Sequence, residues 1–179
     1  NRHVNPANFT LFRENEQKGD YRLQIWRDAQ TYSYHPNLAY DKDPVLREIM
    51  NDTRFRKALS VALDRQEIND LAFDGVLEPR QACPVTGSPN FDAEWETYLT
   101  EYDPDQANAL LDEMGLDQRG GDGFRLRSDG ETLTLLLEYA TASFGGPEDM
   151  HQLAKEYWEA VGIKVLLRGE ERSLYEERN

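Results

Sequence analysis

The sequence predicts an α/β fold, a mixed sheet with flanking helices. Three observations carry this reading. A strand, a helix and a second strand follow one another across residues 132–168, the order of a β-α-β unit. Two capped, amphipathic helices meet at a single Asp-Arg pair within "RFRKALSVALDRQEI", residues 54–68. Asp129-Gly130 is placed to turn a hairpin between two alternating arms.

Taken in order, Asn5 and Pro6 read as the N-cap and first residue of a helix that buries Phe9 and Phe12. "DYRLQIWRD" at 20–28 alternates, with Tyr21, Leu23 and Ile25 on one face, and reads as a strand. "TYSYHP" at 31–36 is a second extended stretch, ended by Pro36. Phe55, Ala58, Leu59 and Ala62 then fall at i, i+3, i+4 and i+7, an apolar helical stripe that Asp52 can cap. The next helix starts at Asp64, with Glu67 three residues on as a capping box. Ile68, Leu71 and Ala72 continue its apolar face, and Gly75 supplies a left-handed stop.

Residues 76–92, with three prolines, form a long ordered loop or irregular lid. Asp103-Pro104 opens another helix, with Gln106 completing its capping box, and Gly115 ends it. Ala107, Leu110, Leu111 and Met114 are its stripe. In the hairpin, Phe124 and Leu126 alternate with arginines on one arm, and Leu133, Leu135 and Leu137 alternate on the other. After Gly146-Pro147, six apolar residues keep helical spacing: Met150, Leu153, Ala154, Tyr157, Trp158 and Val161. Glu148 and Asp149 suit the positive end of that helix. "IKVLL" at 163–167 is a buried strand, so strands 132–139 and 163–168 should be parallel with a right-handed crossover.

Composition excludes several functions. The 179 residues carry 34 acidic and 20 basic side chains, a net charge of −14, which disfavours nucleic acid and anionic membranes. Charged residues at 30% and hydrophobic ones at 39% are a globular balance. Cys83 is the only cysteine, so no intrachain disulfide forms. The chain opens at Asn1 without an initiator Met, which suggests a processed or excised piece and leaves its compartment open.

Catalytic signatures are missing. Cys83 has no His nearby in sequence, and Pro84 beside it suits a packed loop thiol. His3, His35 and His151 lack zinc spacing, and Asp117, Asp122 and Asp129 miss the calcium-loop pattern. The "GGDG" at 120–123 lacks the Lys-Ser/Thr of a phosphate loop. Carboxylate pairs such as Glu170-Glu171 are expected by chance in so acidic a chain.

"DPVLREIMNDTRFRKALSVALDRQEINDLAFDG" at 43–75 resembles the signature stretch of the family 5 extracellular solute-binding proteins, the oligopeptide-, dipeptide- and nickel-binding receptors of ABC importers. The similarity continues through "YDPDQANALLDEMGL", "DGFRLRSDGETLTL" and "EYWEAVGIKVLL", from about residue 35 to about residue 175. The resemblance implies a periplasmic-binding-protein-like (type II) fold of two lobes that close on a ligand and hand it to a membrane permease. It implies that residues 1–179 are a single domain within the C-terminal lobe. It further implies a monomer, periplasmic or extracellular, compatible with a lipoprotein anchor, with a peptide or small-molecule ligand, no cofactor, no metal and no catalytic residue.

On the family's plan, ligand contacts fall where strand and helix ends face the cleft. That places them in the loop after 132–139, at Phe144, and at the start of the last helix, at Arg172. The acidic residue with which peptide-binding members grip the ligand's amino terminus would lie beyond Asn179. Arg54, Arg56, Lys57 and Arg65 belong to a scaffold helix pair and receive no ligand role. Two other readings stand beside this one: a hydrolase using cleft carboxylates, and a protein-interaction domain presenting the 76–92 loop.

Overall fold

The computed structural model describes residues 8–26, 31–141 and 146–178. Two short helices come first, α1 (Phe9–Glu14) and α2 (Glu16–Gly19). Asn5 and Pro6, the expected start, lie outside the described residues. Phe9 and Phe12 are half-buried and outside the core, so the expected buried side of α1 is only partly covered.

The stretch read as a strand at 20–28 does not form one over its described residues, 20–26. Ile25 is 60% and Trp26 78% exposed. Alternation states a preference for extended backbone, but a strand also needs a neighbour for its N–H and C=O groups. Here the Tyr21 N–H donates to the Glu16 carbonyl at 3.2 Å and the Leu23 N–H to the Glu16 carboxylate instead. "TYSYHP" likewise joins no ladder, yet Tyr34 packs edge-on against Trp158 with ring centres 5.1 Å apart.

Between residues 43 and 113, aspartates begin the helices. The five are α3 (Pro44–Asn51), α4 (Thr53–Val61), α5 (Arg65–Phe73), α6 (Ala93–Thr97) and α7 (Pro104–Glu113). Each follows an Asp carboxylate that accepts from N–H groups of the first turn, as from Leu46 to Asp43 at 2.9 Å and from Gln106 to Asp103 at 2.8 Å. Part of the chain's acidity therefore serves capping. α3 and α6 were not assigned from the sequence. The Asp43-Pro44 pair that opens α3 is the same signal that Asp103-Pro104 gave for α7.

Glu67 does not close the expected box on Asp64. Asp64 caps α5 through the Gln66 and Glu67 N–H groups, while the Glu67 carboxylate accepts from the Tyr157 hydroxyl. A tertiary partner has replaced the local one. α5 ends as expected in left-handed backbone, at Asp74 (φ 53°) and Gly75 (φ 70°).

Arginines close the helices. Arg54 donates to the Glu113 carbonyl at the end of α7, and Arg56 to the Met50 and Asn51 carbonyls at the end of α3. Arg65 donates to the Ser60 carbonyl near the end of α4, at 2.8 Å. Burial lowers the proton affinity of Arg65 below its ordinary value. These carbonyls lack helical partners and carry the negative end of the helix dipole, so a guanidinium fork satisfies both hydrogen bonding and charge. Three of the four basic residues in the cluster are thus helix terminators.

The loop at 76–92 is irregular but tied down. The Asn69 amide donates to the Leu77 carbonyl and accepts from its N–H, both at 2.9 Å, and the Gln81 amide donates to the Tyr98 carbonyl at 2.7 Å. Cys83 is buried within it.

The β-α-β unit forms as expected. β1 (Thr134–Thr141) and β2 (Lys164–Glu171) run parallel, with Thr134 opposite Lys164 and Thr141 opposite Glu171. Between them α8 (Glu148–Ala160) packs against β2 and α5, burying Met150, Ala154 and Trp158. The indole N–H of Trp158 donates to the Leu59 carbonyl of α4 at 3.0 Å. α9 (Arg172–Arg178) folds back against both strands.

The hairpin before β1 corrects the sequence reading in one respect. Its turn is present, with the Arg127 N–H donating to the Glu131 carbonyl and the Leu133 N–H to the Arg125 carbonyl, each at 2.8 Å. Apolar alternation would bury Phe124 and Leu126, but both are half-buried and Arg125 is 2% exposed. Its guanidinium meets the Leu116 carbonyl at 2.5 Å, the Val161 carbonyl at 2.7 Å, Asn108 Oδ1 at 2.7 Å and Asp112 Oδ1 at 2.5 Å. Two more helix ends, those of α7 and α8, converge on one cation. Gly162 makes room for it: at φ 91°, a Cβ there would sit 2.9 Å from Arg125 Cγ.

The capping carboxylates give the fold a pH dependence. Asp43 is held below the usual carboxylate range by the Leu46 N–H and then by Arg127, and Asp52 by the side chain of Arg54. A folded value depressed below the unfolded value of about 3.9 contributes stability that is complete above about pH 4 and lost as pH falls through the folded value. The stability gap between wild type and Asp43→Asn, followed by thermal unfolding, should be constant from about pH 5 to 7 and close below about pH 4. A gap independent of pH down to about 3 would show that Asp43 contributes nothing through its charge.

Candidate functional site

A cavity of about 300 Å³ opens at the carboxyl end of β1. Three pieces of chain build it. Thr31, Tyr32, Ser33, Tyr34 and His35 form one wall, and Glu138, Tyr139 and Ala140 of β1 form the next. Met150 and His151 from the first turn of α8, with Tyr175 of α9, complete the lining. In open α/β sheets the strand ends leave a crevice of this kind, because the connecting helix starts above one face.

The rings are held from behind. Tyr139 stacks on His151 with centres 3.9 Å apart and planes 24° apart. Tyr34 lies edge-on to His151 at 5.8 Å, and its hydroxyl is 3.1 Å from His151 Nδ1 and 3.4 Å from the Met150 carbonyl. Tyr32 packs on Phe73 at 5.1 Å. Burial pushes the Tyr34 hydroxyl well above its ordinary value, so it stays protonated and able to donate. Tyr139 is also raised, by burial and then by the charge of Glu148.

Ser33 Oγ and His35 Nε2 share a hydrogen bond of 2.8 Å, a hydroxyl–imidazole pairing of the kind a nucleophile makes with its base. Both residues are exposed, and among the described residues no carboxylate hydrogen bond to His35 orients the ring, as a working triad requires. Among the described residues Glu138 is the only carboxylate lining the cavity, and it accepts from Arg168 at 3.1 Å. Among the described residues no three His, Cys, Asp or Glu side chains come together as metal ligands.

The two residues anticipated as ligand contacts fare differently. Phe144 lies outside the described residues. Arg172 is on the surface, its Nε donating to Glu176 at 2.6 Å, and Tyr175 one turn later lines the cavity instead. The other lining side chains were not singled out as site residues. The tyrosines at every second position of "TYSYHP" were the available signal, and their extended spacing was noted only as backbone. His151 carried no local signal, since its burial depends on Tyr34 and Tyr139 arriving from elsewhere.

The unit is mixed α/β, with an aromatic cavity at the carboxyl end of β1. The profile of the bacterial extracellular solute-binding proteins, family 5 (middle), matches residues 2–179, and the chain belongs to that family. A solved oligopeptide-binding protein OppA superposes with a TM-score of 0.82 at 46% identity, over 96% of this chain and 27% of that one. The oligopeptide-binding protein AppA of Bacillus subtilis (strain 168) is 29% identical over 118 residues, 66% of this chain and 21% of the relative. The Bacillus subtilis AppA structure, in complex with a nonapeptide, gives a TM-score of 0.61 at 28% identity, over 73% of this chain and 25% of that one. The fold is therefore part of an OppA-like periplasmic-binding-protein architecture. The chain spans about a fifth to a quarter of the length of these relatives. No helix among the described residues is long and apolar enough to cross a membrane.

Proposed function

We propose that this chain is a single domain within the C-terminal lobe of an extracellular or periplasmic receptor that captures peptides for an ABC importer. The supporting observation is the aromatic cavity at the carboxyl end of β1, in a chain whose relatives at 46% and 29% identity are named oligopeptide-binding proteins. In this reading the receptor is a monomer, tethered where required by a lipid anchor, and closes on its ligand before docking to a membrane permease. Cleft closure explains why one lobe needs only part of a site: ligands are buried from both sides. No step of catalysis is assigned to it.

Native mass spectrometry of the full-length receptor tests this. Co-purified peptides are the expected result. Turnover of peptide substrates by the pure protein would favour the hydrolase reading instead.

The same reading fixes the role of the basic cluster. Arg56→Ala and Lys57→Ala in the full-length receptor should change peptide affinity by less than a factor of about ten, roughly 1.4 kcal/mol, in calorimetric titration. Arg56 is engaged at the end of α3, away from the residues lining the cavity. Loss of binding with the fold intact would make the cluster a site.

A further inference from the structure

We propose that the cavity at the end of β1 is a specificity pocket that receives one aromatic side chain of the bound peptide; the inference rests on the peptide-receptor reading above. At about 300 Å³ it stands at the small end of ligand cavities, roughly 300–1,000 Å³, so it suits one large side chain and not a whole peptide. Four of its lining residues are tyrosines and two are histidines, with Met150 among them. Rings and a thioether are the surfaces on which an aromatic guest gains most, edge-on or offset.

Rigidity supports the same occupant. Tyr34 is fixed by Trp158 and His151, Tyr139 by His151, and Tyr32 by Phe73. A wall already ordered loses little side-chain freedom when a ring arrives, so more of the contact energy appears as affinity.

Charge argues against the alternatives. No Lys or Arg is among the described residues lining the cavity, so an acidic guest side chain would be desolvated without a counter-charge. A basic guest would have to share Glu138 with Arg168. A methyl group would leave most of the cavity filled by water. The aromatic ring is the guest that these walls reward.

The test is calorimetric titration of the full-length receptor with Ala-Phe-Ala, Ala-Tyr-Ala, Ala-Ala-Ala and Ala-Asp-Ala, repeated on Tyr175→Ala and Tyr139→Leu. Arg56→Ala serves as a variant remote from the cavity. The wild type should prefer the Phe and Tyr peptides over Ala-Ala-Ala by about tenfold or more, as two ring contacts would give, and Ala-Asp-Ala should rank last. Both tyrosine variants should reduce that preference to about threefold or less, and Arg56→Ala should preserve it. Tyr175 sits on the half-exposed face of the last helix, so its variant tests the pocket even if Tyr139→Leu does not fold. Equal affinity for Phe and Ala peptides, or a preference that survives both substitutions, would overturn the pocket while leaving the receptor reading in place. Failure to bind any peptide, or binding of oligosaccharide alone, would overturn both.

Discussion

Arg125→Met should destabilise the chain by about 3–5 kcal/mol, seen as a lower urea midpoint with an unchanged slope. The guanidinium is 2% exposed and reaches four acceptors, two of them the carbonyls of Leu116 and Val161 where α7 and α8 give way to loops. Truncation leaves the Leu116 carbonyl buried without a donor, costing about 1–3 kcal/mol, and leaves the Val161 carbonyl only the longer bond from Arg119 at 3.4 Å. Met fills much of the volume, so the loss measures the polar network more than a cavity. Asp112, 54% exposed, returns to water and adds little. Arg125→Lys keeps the charge but cannot serve acceptors on several sides at once, and should recover no more than about half of the loss. A loss under about 1 kcal/mol for Met would mean that water reaches those carbonyls.

Trp158→Ala is the second large effect, about 3–5 kcal/mol. The ring is 3% exposed, anchors α8 to α4 through the Leu59 carbonyl, and carries Tyr34 on its face. Its removal therefore opens a cavity, orphans a carbonyl and loosens the wall of the aromatic pocket together. Trp158→Phe keeps most of the packing and should cost about 1–3 kcal/mol, the price of an unmet buried acceptor. Fluorescence offers a direct check, because Trp26 and Trp95 are 78% and 59% exposed. The blue component of the emission should vanish in both variants. If it persists, the indole of Trp158 is not in the core.

Much of the fold was legible locally. The Asp caps at 52, 64 and 103 face their own first turns in the structure, because a capping carboxylate needs only the next three residues. The parallel β1–α8–β2 unit was legible for a similar reason: six apolar residues at helical spacing between two extended apolar runs permit few other arrangements. Where sequence reasoning failed, a partner distant in the chain decided. The 20–28 stretch has the alternation of a strand, but its described residues have no neighbouring strand to complete it.

The residues of the cavity were not legible in the sequence. The resemblance pointed to Phe144, which lies outside the described residues, and to Arg172, which does not line the cavity although Tyr175 of the same helix does. Tyr32 and Tyr34 line it together with Tyr139 and His151, two pairs of residues more than a hundred positions apart in the chain.

Sequence alone determined the amphipathic helices α4, α5, α7 and α8, the parallel pairing of β1 with β2, and the family, because these rest on local caps, apolar periodicity and motif order. Only the tertiary structure decided what the polar residues do. It turned Arg54, Arg56 and Arg65 onto helix ends, buried Arg125 where alternation would bury Phe124, and gathered the tyrosines around His151. A polar side chain's role is set by whichever unpaired carbonyl, ring or charge the fold brings within about 3 Å of it, and neighbours in sequence seldom supply that partner.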